Sequence, residues 1–366
     1  MILCANPLAQ NNSYKDEIQK AIVSVLNSNR YILGPEVEAL EVEFASYVGV
    51  KHSIGVANGT DALEIALRAL EIGPDSEVIT VSHTAVATVA AIEAVGATAV
   101  LVDVDPNFFT LDTSQLEEVF TKDTKAVIAV HLYGQSADLD AIQVFCKKKG
   151  IYFIEDVSQA HGATWKGTRL GNIGVIGCFS CYPTKNLGAV GDAGLITTND
   201  SYIASKMKML REYGWKERYI SEFAGRNSRL DELQAAILRV KLRNLDSDNG
   251  KRKMIAAKYD QTLQGISALK IPAKNPNSEH VYHLYVLRVE RREALVAHLK
   301  SKNIFPGVHY PTPIHLQPAY NGKIKTASSM KTTEELSRTV LSLPIYPELS
   351  LNDVDKVIFS ISTFLS

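Results

Sequence analysis

The alternation of short β-branched runs with stretches of helical periodicity is the feature that most restricts the fold of this 366-residue chain. Between about residues 50 and 200, the runs of Val, Ile and Thr lack a polar face. Strands of this kind are typical of a largely parallel sheet that is covered by helices on both sides. The sequence therefore predicts an α/β fold, with strands at 77–81, 98–102, 125–130, 151–154 and 195–198.

The pattern changes after residue 230. A long helix is predicted to open at Asp231, and charged residues crowd 241–258, as expected for a solvated helix that links two domains. A smaller α+β unit follows. We predict a large α/β domain over residues 1–240 and a small C-terminal α+β domain over residues 241–366. The other predicted elements are helices after Thr60 and at 86–95, 139–149, 292–300 and 352–365, with a strand at 283–289.

Composition narrows the class of protein. The chain is 46% apolar and 22% charged, with a formal net charge of -1. No net field favours nucleic acid or an anionic membrane, so we expect neither as a partner. The first residues lack a basic region followed by an apolar core, and no stretch reaches roughly 18 uninterrupted apolar residues. We expect a cytoplasmic protein.

Two of the four cysteines, Cys178 and Cys181, have the spacing of a redox or half-zinc motif. A structural zinc site needs a second pair of ligands, and the sequence offers none. We interpret these cysteines as small buried thiols and predict no metal.

The run Asn58-Gly59-Thr60-Asp61 follows a short strand-like stretch and begins a helix. Free amides and the helix dipole converge at such a point, which makes it a candidate anion site. Gly59 permits close approach of the backbone, and the Thr60 hydroxyl adds a donor. The alternative is an ordinary helix start that Thr60 or Asp61 caps.

Asp156 and Lys185 are the candidate chemical groups. Asp156 ends an apolar run, which predicts a carboxylate at the C-terminal edge of the sheet, where open α/β sheets hold their ligands. Lys185 follows a mostly apolar stretch that includes Pro183. An ammonium in apolar surroundings is costly unless it has a function. A lysine that forms a Schiff base and a carboxylate that keeps a pyridine nitrogen protonated are what a pyridoxal phosphate enzyme needs.

Together these segments resemble the DegT/DnrJ/EryC1/StrS family of sugar aminotransferases, over nearly the whole chain. The family implies fold type I, a mostly parallel seven-stranded sheet and pyridoxal 5'-phosphate as cofactor. It acts on nucleotide-linked keto sugars, in deoxyamino sugar biosynthesis for lipopolysaccharide or S-layer glycans. The matching stretches are 34–38, 58–63, 155–163, 183–188, 225–236 and 309–317.

The resemblance implies a role for each matching residue. Lys185 would be the catalytic Schiff-base lysine and proton shuttle, Asp156 the partner of the pyridine nitrogen, and Gln159 the neighbour of the ring hydroxyl. Asn227 would reach the phosphate of a second subunit, so the active sites would be shared in a homodimer. The residues implied for the phosphate are Gly59, Thr60 and Ser180, and those for the nucleotide sugar are Tyr182, Tyr219, His309, Tyr310 and His315.

One position departs from the family pattern. Many members carry a ring-stacking aromatic at or near position 85, whereas this chain has Ala85. We predict that His83 takes over the stacking; the alternatives are a smaller contact on the ring face and a packed core role for His83. The run His-Thr-Ala-Val-Ala-Thr at 83–88 resembles the subgroup that acts on dTDP-3-keto-6-deoxyhexoses.

We therefore expect amino transfer from L-glutamate to C3 of a dTDP-3-keto-6-deoxyhexose. Three alternatives stay open: a C4-specific aminotransferase, a dehydratase of the same fold, and a non-catalytic regulator. Dehydratases of this family carry His in place of the lysine, so Lys185 argues against that alternative. A regulator would more often lose site residues or carry a DNA-binding segment. The sequence leaves open the galacto or gluco configuration of the product and the choice between dTDP and UDP.

Overall fold

The structure is a computed structural model that describes residues 1–365. The α-helices are α1 (Pro7–Ser13), α2 (Lys15–Asn27), α3 (Pro35–Val48), α4 (Gly59–Ala69), α5 (Ala87–Ala94), α6 (Leu116–Val119), α7 (Leu139–Lys149), α8 (Ser201–Leu210), α9 (Glu232–Leu242), α10 (Leu245–Leu263), α11 (Arg292–Ser301), α12 (Lys331–Thr339) and α13 (Leu351–Leu365). The strands are β1 (Ile2–Leu3), β2 (His52–Val56), β3 (Glu77–Val81), β4 (Thr98–Val102), β5 (Thr124–Val130), β6 (Tyr152–Asp156), β7 (Thr164–Trp165), β8 (Thr168–Arg169), β9 (Ile176–Ser180), β10 (Gly194–Thr198), β11 (Trp215–Glu217), β12 (Ile220–Ser221), β13 (Leu269–Lys270), β14 (Ser278–Glu279), β15 (Tyr285–Val289), β16 (Ile304–Phe305), β17 (Lys325–Thr326) and β18 (Val340–Leu343).

A central sheet of eight strands organises the fold, in the order β17-β4-β3-β5-β6-β9-β10-β2. Its pairs are parallel except for those of β10, which runs antiparallel to both β9 and β2. The predicted α/β fold with a mostly parallel sheet is confirmed. The sheet gains an eighth, two-residue edge strand, β17, from the C-terminal part of the chain.

Helix α4 is buried in the centre of the larger apolar core. Leu63, Ile65 and Leu67 are at most 1% exposed, because α4 packs against β9, β10 and α5. A helix enclosed in this way has a fixed N-terminus. The start of α4 is therefore held in place beside the carboxyl ends of the central strands.

A second apolar core gathers α10, α11 and α13 around β15 and β18. Ile2 belongs to this core, because β1 pairs in parallel with β16. Conversely, Val281 and Val286 belong to the larger core. The domain boundary between residues 240 and 241 stays a prediction. Residues from both sides of this boundary contribute to both apolar cores.

The charged stretch 241–258 is less solvated than predicted. Lys241 is 2% exposed and donates a 2.6 Å hydrogen bond to the carbonyl of Gly188. Asp248 accepts a hydrogen bond from the Tyr14 hydroxyl, and Arg252 donates to the carbonyl of Ile345. Charge patterning indicates a solvated helix only where the charges lack partners inside the protein, and here backbone carbonyls and polar side chains supply them.

The two cysteines with the spacing of a metal or redox motif, Cys178 and Cys181, are free and buried, as predicted for small thiols in the interior. Over residues 1–365, no helix has both the length and the apolar character needed to cross a membrane.

Candidate active site

A cleft of about 570 Å³ opens at the carboxyl ends of the central strands. Val130 at the end of β5, Asp156 at the end of β6 and Ser180 at the end of β9 form part of its wall. This size is typical of a site for a small molecule, and the edge is where open α/β sheets bind ligands. The other lining residues are Asn58, Gly59, Thr60, Asp61, Leu63, Thr84, Ala85, Ala87, Thr88, Ser158, Gln159, Tyr182, Thr184, Lys185, Asp192, His283, His309 and Tyr310.

One end of the cleft is the N-terminus of α4. Asn58 caps the helix, since its Oδ1 accepts a 2.8 Å hydrogen bond from the amide of Asp61. The predicted alternative, a cap by Thr60 or Asp61, is therefore wrong. The amides of Gly59 and Thr60 stand at the first helical positions, where no intrahelical acceptor exists. These two donors and the positive end of the helix dipole suit an anion.

Gly59 brings this helix start close to the end of β9. A Cβ atom at position 59 would lie 2.5 Å from the Cβ of Ser180, which is closer than such atoms approach. Only glycine permits this spacing. The Ser180 hydroxyl consequently sits beside the α4 amides and adds a third donor to the anion site.

Asp156 is fixed by a hydrogen bond to each carboxylate oxygen. Its Oδ2 accepts from the Thr88 hydroxyl at 3.0 Å, and its Oδ1 accepts from the amide of Ser158 at 3.1 Å. The side chain is 4% exposed and still lines the cleft. Asp156 is therefore a rigid, buried carboxylate with one face toward the ligand space.

Gln159, in the cleft wall, is hydrogen-bonded to two other segments of the chain. Its Oε1 accepts from the amide of Tyr133 at 2.8 Å, and its Nε2 donates to the Tyr310 hydroxyl at 3.0 Å. The Tyr133 hydroxyl in turn donates to the carbonyl of His309. These bonds lock the 309–310 segment over the turn that follows β6.

Lys185 presents an amine with a lowered pKa to this cleft. Burial lowers the pKa of Lys185 to about 8, although the charges of Asp156 and Cys181 act in the opposite direction. Burial also lowers the pKa of Lys241 to about 8, but the Lys241 amine is bound to the carbonyl of Gly188. Lys185 therefore has the amine that is available for chemistry.

Beside the cleft, Glu155 organises the adjoining loop. Burial alone would raise its pKa, but a 3.1 Å contact with His131 and hydrogen bonds from backbone amides hold the pKa below its usual value. Those amides belong to Gly171, Ile173 and Gly174. Glu155 therefore anchors the 171–174 loop to β6, whereas the next residue, Asp156, faces the ligand space.

Nine of the residues proposed from the sequence meet in the cleft wall. They are Gly59, Thr60, Asp156, Gln159, Ser180, Tyr182, Lys185, His309 and Tyr310. Sequence reasoning gave no individual role to four other polar residues of the wall, Asn58, Thr88, Asp192 and His283. Asn58 and Thr88 belong to the runs 58–61 and 83–88 that the sequence had already singled out, whereas the position of His283 is revealed only by the folded chain.

His83 does not reach the cleft wall. It is 1% exposed, its Nε2 lies 2.7 Å from the Tyr133 hydroxyl, and its ring meets Tyr310 edge to face. Burial lowers the pKa of His83 to about 4. The expectation that His83 stacks on a cofactor ring therefore needs correction, because Tyr133 and Tyr310 enclose it, and Ala85 lines the cleft instead.

His315 also lies outside the cleft wall. Its Nδ1 is 2.7 Å from the Ser82 hydroxyl, and its Nε2 is 3.3 Å from Glu334. Both ring nitrogens are thus engaged within the protein. The predicted contact of His315 with a nucleotide sugar is corrected to a link between the 314–316 turn and the end of β3.

Asn227 and Tyr219 are exposed, and neither lines the cleft of its own chain. Asn227 is exposed, and Tyr219 is 72% exposed on the hairpin of β11 and β12, where it packs edge to face against Trp215. A contact of either residue with a site of this same chain is not formed. Their roles at the site of a partner subunit stay predictions.

The residues of the cleft fit pyridoxal 5'-phosphate. The α4 amides and the hydroxyls of Thr60 and Ser180 suit the phosphate, and Asp156 suits a protonated pyridine nitrogen. Lys185, with a pKa lowered to about 8, supplies the amine for a Schiff base.

Comparison with known proteins gives a consistent result. The profile of the DegT/DnrJ/EryC1/StrS aminotransferase family matches residues 12–362. The chain is 45% identical to dTDP-3-amino-3,4,6-trideoxy-alpha-D-glucose transaminase of Streptomyces venezuelae, over 93% of this chain and 90% of that protein. It is 46% identical to dTDP-3-amino-3,6-dideoxy-alpha-D-galactopyranose transaminase of Aneurinibacillus thermoaerophilus, over 97% of each chain. The crystal structure of S. venezuelae DesV in complex with a ketimine intermediate superposes with a TM-score of 0.97 at 43% identity, covering 100% of this chain and 98% of that one.

Proposed function

The chain belongs to the DegT/DnrJ/EryC1/StrS aminotransferase family, and from this premise we propose that it transfers an amino group from L-glutamate to C3 of a dTDP-3-keto-6-deoxyhexose. The product is a dTDP-3-amino-3,6-dideoxyhexose. The cofactor is pyridoxal 5'-phosphate. The observation that carries the proposal is the position of the Lys185 amine in one cleft with the Asp156 carboxylate and the α4 amides.

Each residue of the cleft has a defined task in this reaction. The cofactor, when bound, would carry the amino group from the donor to the acceptor and supply the electron sink that stabilises the carbanion. Gly59, Thr60 and Ser180 would hold its phosphate, and Asp156 would hold the proton on its ring nitrogen. Lys185 would hold the cofactor, and its free amine would move the proton at the reacting carbon.

The sugar side of the cleft supports amination at C3. Ala85 leaves room where a larger side chain would narrow the cleft, and the relatives named above are 3-amino sugar transaminases. Tyr182, His309 and Tyr310 stand in the wall where a sugar nucleotide would bind. Binding energy from the nucleotide, which is remote from the reacting carbon, orients the hexose.

We further propose a homodimer with shared active sites, in a cytoplasmic setting. The exposed positions of Tyr219 and Asn227 support the dimer, because both are free to approach a second chain. In this arrangement Asn227 binds the phosphate in the partner's cleft. The Lys185 and Asp156 pair supports an enzyme over a regulator, since every group that the chemistry needs is present.

A substrate panel tests the proposal. The enzyme is loaded with pyridoxamine 5'-phosphate and mixed in single turnovers with 3-keto and 4-keto deoxyhexoses, each as the dTDP and the UDP derivative. Amino sugar formation is followed by mass spectrometry. We expect the dTDP-3-keto-6-deoxyhexose to react fastest. A faster reaction of a 4-keto sugar would overturn the C3 assignment, and no reaction with any keto sugar would overturn the function.

A further inference from the structure

His283 stands in the wall of the cleft with Lys185, although it lies almost 100 positions further along the chain. It is 7% exposed, just before β15, in a segment anchored to the turn that follows β5. The amide of Val281 donates to the carbonyl of Gly134 at 2.8 Å, and the amide of Leu284 donates to that of Tyr133 at 3.2 Å. His283 is therefore held against the site from a distant part of the sequence.

A chain of two asparagines fixes the orientation of the His283 ring. The Asn249 amide donates to the carbonyl of His161 at 2.9 Å, so its Oδ1 faces Asn186. The Asn186 amide donates to that oxygen at 2.7 Å and to the carbonyl of Val281 at 3.1 Å. Because backbone carbonyls only accept, neither asparagine can be flipped, and the Oδ1 of Asn186 must face His283.

The tautomer of His283 follows from this arrangement. Its Nδ1 lies 3.3 Å from the Oδ1 of Asn186, which can only accept, so Nδ1 carries the proton and Nε2 has a free lone pair. Burial, together with the positive charges of Lys185 and Arg252, holds the pKa of His283 well below its usual value. The ring is therefore neutral, and Nε2 is a hydrogen-bond acceptor.

Two unpaired polar atoms thus share the cleft. Among residues 1–365, neither the Nε2 of His283 nor the Nζ of Lys185 makes a hydrogen bond, and neither is sealed from solvent. One is an acceptor and the other is a donor with a flexible stem. The two groups are also close enough for the positive charge of Lys185 to contribute to the lowered pKa of His283.

We propose that Nε2 of His283 accepts a hydrogen bond from the Lys185 amine whenever that amine is free, so that His283 is a positioning residue for proton transfer. This inference rests on the proposed function, in which Lys185 moves the proton. A primary amine has three directions for its lone pair, and a fixed acceptor for one N–H restricts them. The Lys185 lone pair is then confined to the two remaining directions, which point away from His283.

Lys185 and His283 have other titratable neighbours. Asp156 and Cys181 act on Lys185, whereas Arg252, His309 and His161 act on His283. Burial lowers the pKa values of His161 and His309 to about 3 and about 4, so both rings are neutral near pH 8. The charges of His161 and His309 therefore stay the same while the pKa of Lys185 is measured, and they do not obscure the effect of a substitution at His283.

The test compares two variants that separate the two ring nitrogens. His283→Asn keeps a donor near the Nδ1 position and has no acceptor at the Nε2 position, whereas His283→Gln keeps an oxygen near Nε2. The pKa of Lys185 is measured with pyridoxamine 5'-phosphate bound, from the pH dependence of its acetylation by acetic anhydride, read by peptide mass spectrometry. An acceptor stabilises the ammonium more than the amine, so its loss lowers the pKa.

We expect His283→Asn to lower the pKa of Lys185 by about one unit, and His283→Gln to retain most of the wild-type value. His52→Asn is the matched control. His52 is the first residue of β2, at the end of the strand that is far from the cleft, and its ring contacts Ser201, so its substitution should leave the pKa of Lys185 unchanged. An unchanged pKa in His283→Asn, or equal shifts in both His283 variants, would overturn the proposal. The measurement of the Lys185 pKa needs no sugar substrate, so it stays valid even if the substrate assignment is wrong.

A second measurement uses the unchanged protein. The ¹⁵N NMR signals of the His283 ring in the enzyme with pyridoxamine 5'-phosphate bound report which nitrogen carries the proton. We expect a protonated Nδ1 and an unprotonated Nε2. A proton on Nε2 would exclude the acceptor role and overturn the proposal, even if the variants failed to fold.

Discussion

The hydroxyl of Thr88 donates a 3.0 Å hydrogen bond to Oδ2 of Asp156, and so joins the second residue of α5 to the end of β6. Asp156 thereby keeps one orientation without a charged partner at hydrogen-bond distance. The arrangement separates two properties of the carboxylate, its charge and its position. Substitutions at the two residues can test them one at a time.

Asp156→Asn removes the charge and retains the shape. Because only an anion stabilises a protonated pyridine nitrogen, we expect the glutamate half-reaction to slow by on the order of 4 kcal/mol in activation free energy. Thr88→Val removes only the hydrogen bond, and we expect about a tenfold loss. Stopped-flow absorbance measures both rates. Near-normal turnover of Asp156→Asn would exclude Asp156 from the site.

Covalent attachment of the cofactor should identify Lys185 among the lysines. After borohydride reduction of the holoenzyme, peptide mass spectrometry should place the adduct on Lys185. Lys241, whose pKa is likewise lowered to about 8, is an internal control, because its amine is held by the Gly188 carbonyl. Lys185→Ala should slow the half-reactions by at least about 10³-fold. An adduct on another lysine would contradict the assignment.

The rate of proton transfer should follow the ionisation of Lys185. The pKa of the free amine is lowered to about 8, and only the neutral form, which predominates above that pH, accepts a proton. In single turnovers of the aminated enzyme with keto sugar, we expect the rate to rise with pH and level off above about 8. Below that pH it should fall about tenfold per unit. A flat profile between pH 6 and pH 9, roughly one unit or more on either side of that pKa, would show that another group moves the proton.

Shared active sites should be detectable by mixing two defective chains. Lys185→Ala lacks the amine, and Asn227→Asp places a negative charge where we propose a phosphate contact with the partner chain. Hybrid dimers should regain activity, because one of their two sites combines an intact Lys185 with an intact Asn227. Each variant mixed with itself is the control. No recovery after proven subunit exchange would contradict a shared site.

Ala85 should control the space for the hexose. Ala85→Phe introduces a large side chain into the cleft wall, so we expect the reaction with the 3-keto sugar to slow by at least about tenfold. Ala85→Ser keeps the side chain small and should stay near the wild-type rate. Both are compared in single turnovers with the dTDP-3-keto sugar. An unaffected Ala85→Phe variant would mean that the side chain at position 85 does not limit the space for the hexose.

Sequence patterns predicted the strands and helices whose burial follows a simple local pattern. The strands Glu77–Val81 and Thr98–Val102 and the helix Leu139–Lys149 match the predicted bounds. A buried strand is visible in the sequence as a short apolar run, and an amphipathic helix as apolar residues at helical spacing. Asp156 and Lys185 were recognisable for a related reason. Each is a polar group at the end of an apolar segment.

Long-range partners could not be predicted in this way. His283 is an unremarkable histidine before a strand, and its function depends on Asn186 and Asn249, which come from two other segments. His83 stands in a suggestive motif, yet the Tyr133 hydroxyl and the Tyr310 ring enclose it. Whether a polar side chain faces the cleft or the interior is decided by neighbours that local patterns do not contain.

The pairing of β1 with β16 has a consequence for biosynthesis. Ile2 is 7% exposed and Leu3 pairs with Phe305, so a strand from the beginning of this chain finds its neighbour only after residue 305 has left the ribosome. Contacts of such sequence separation slow folding, since a long loop must close before they form. The two strands can therefore pair only when the roughly 300 residues between Leu3 and Ile304 have folded back on themselves, so we expect this contact to form late in folding.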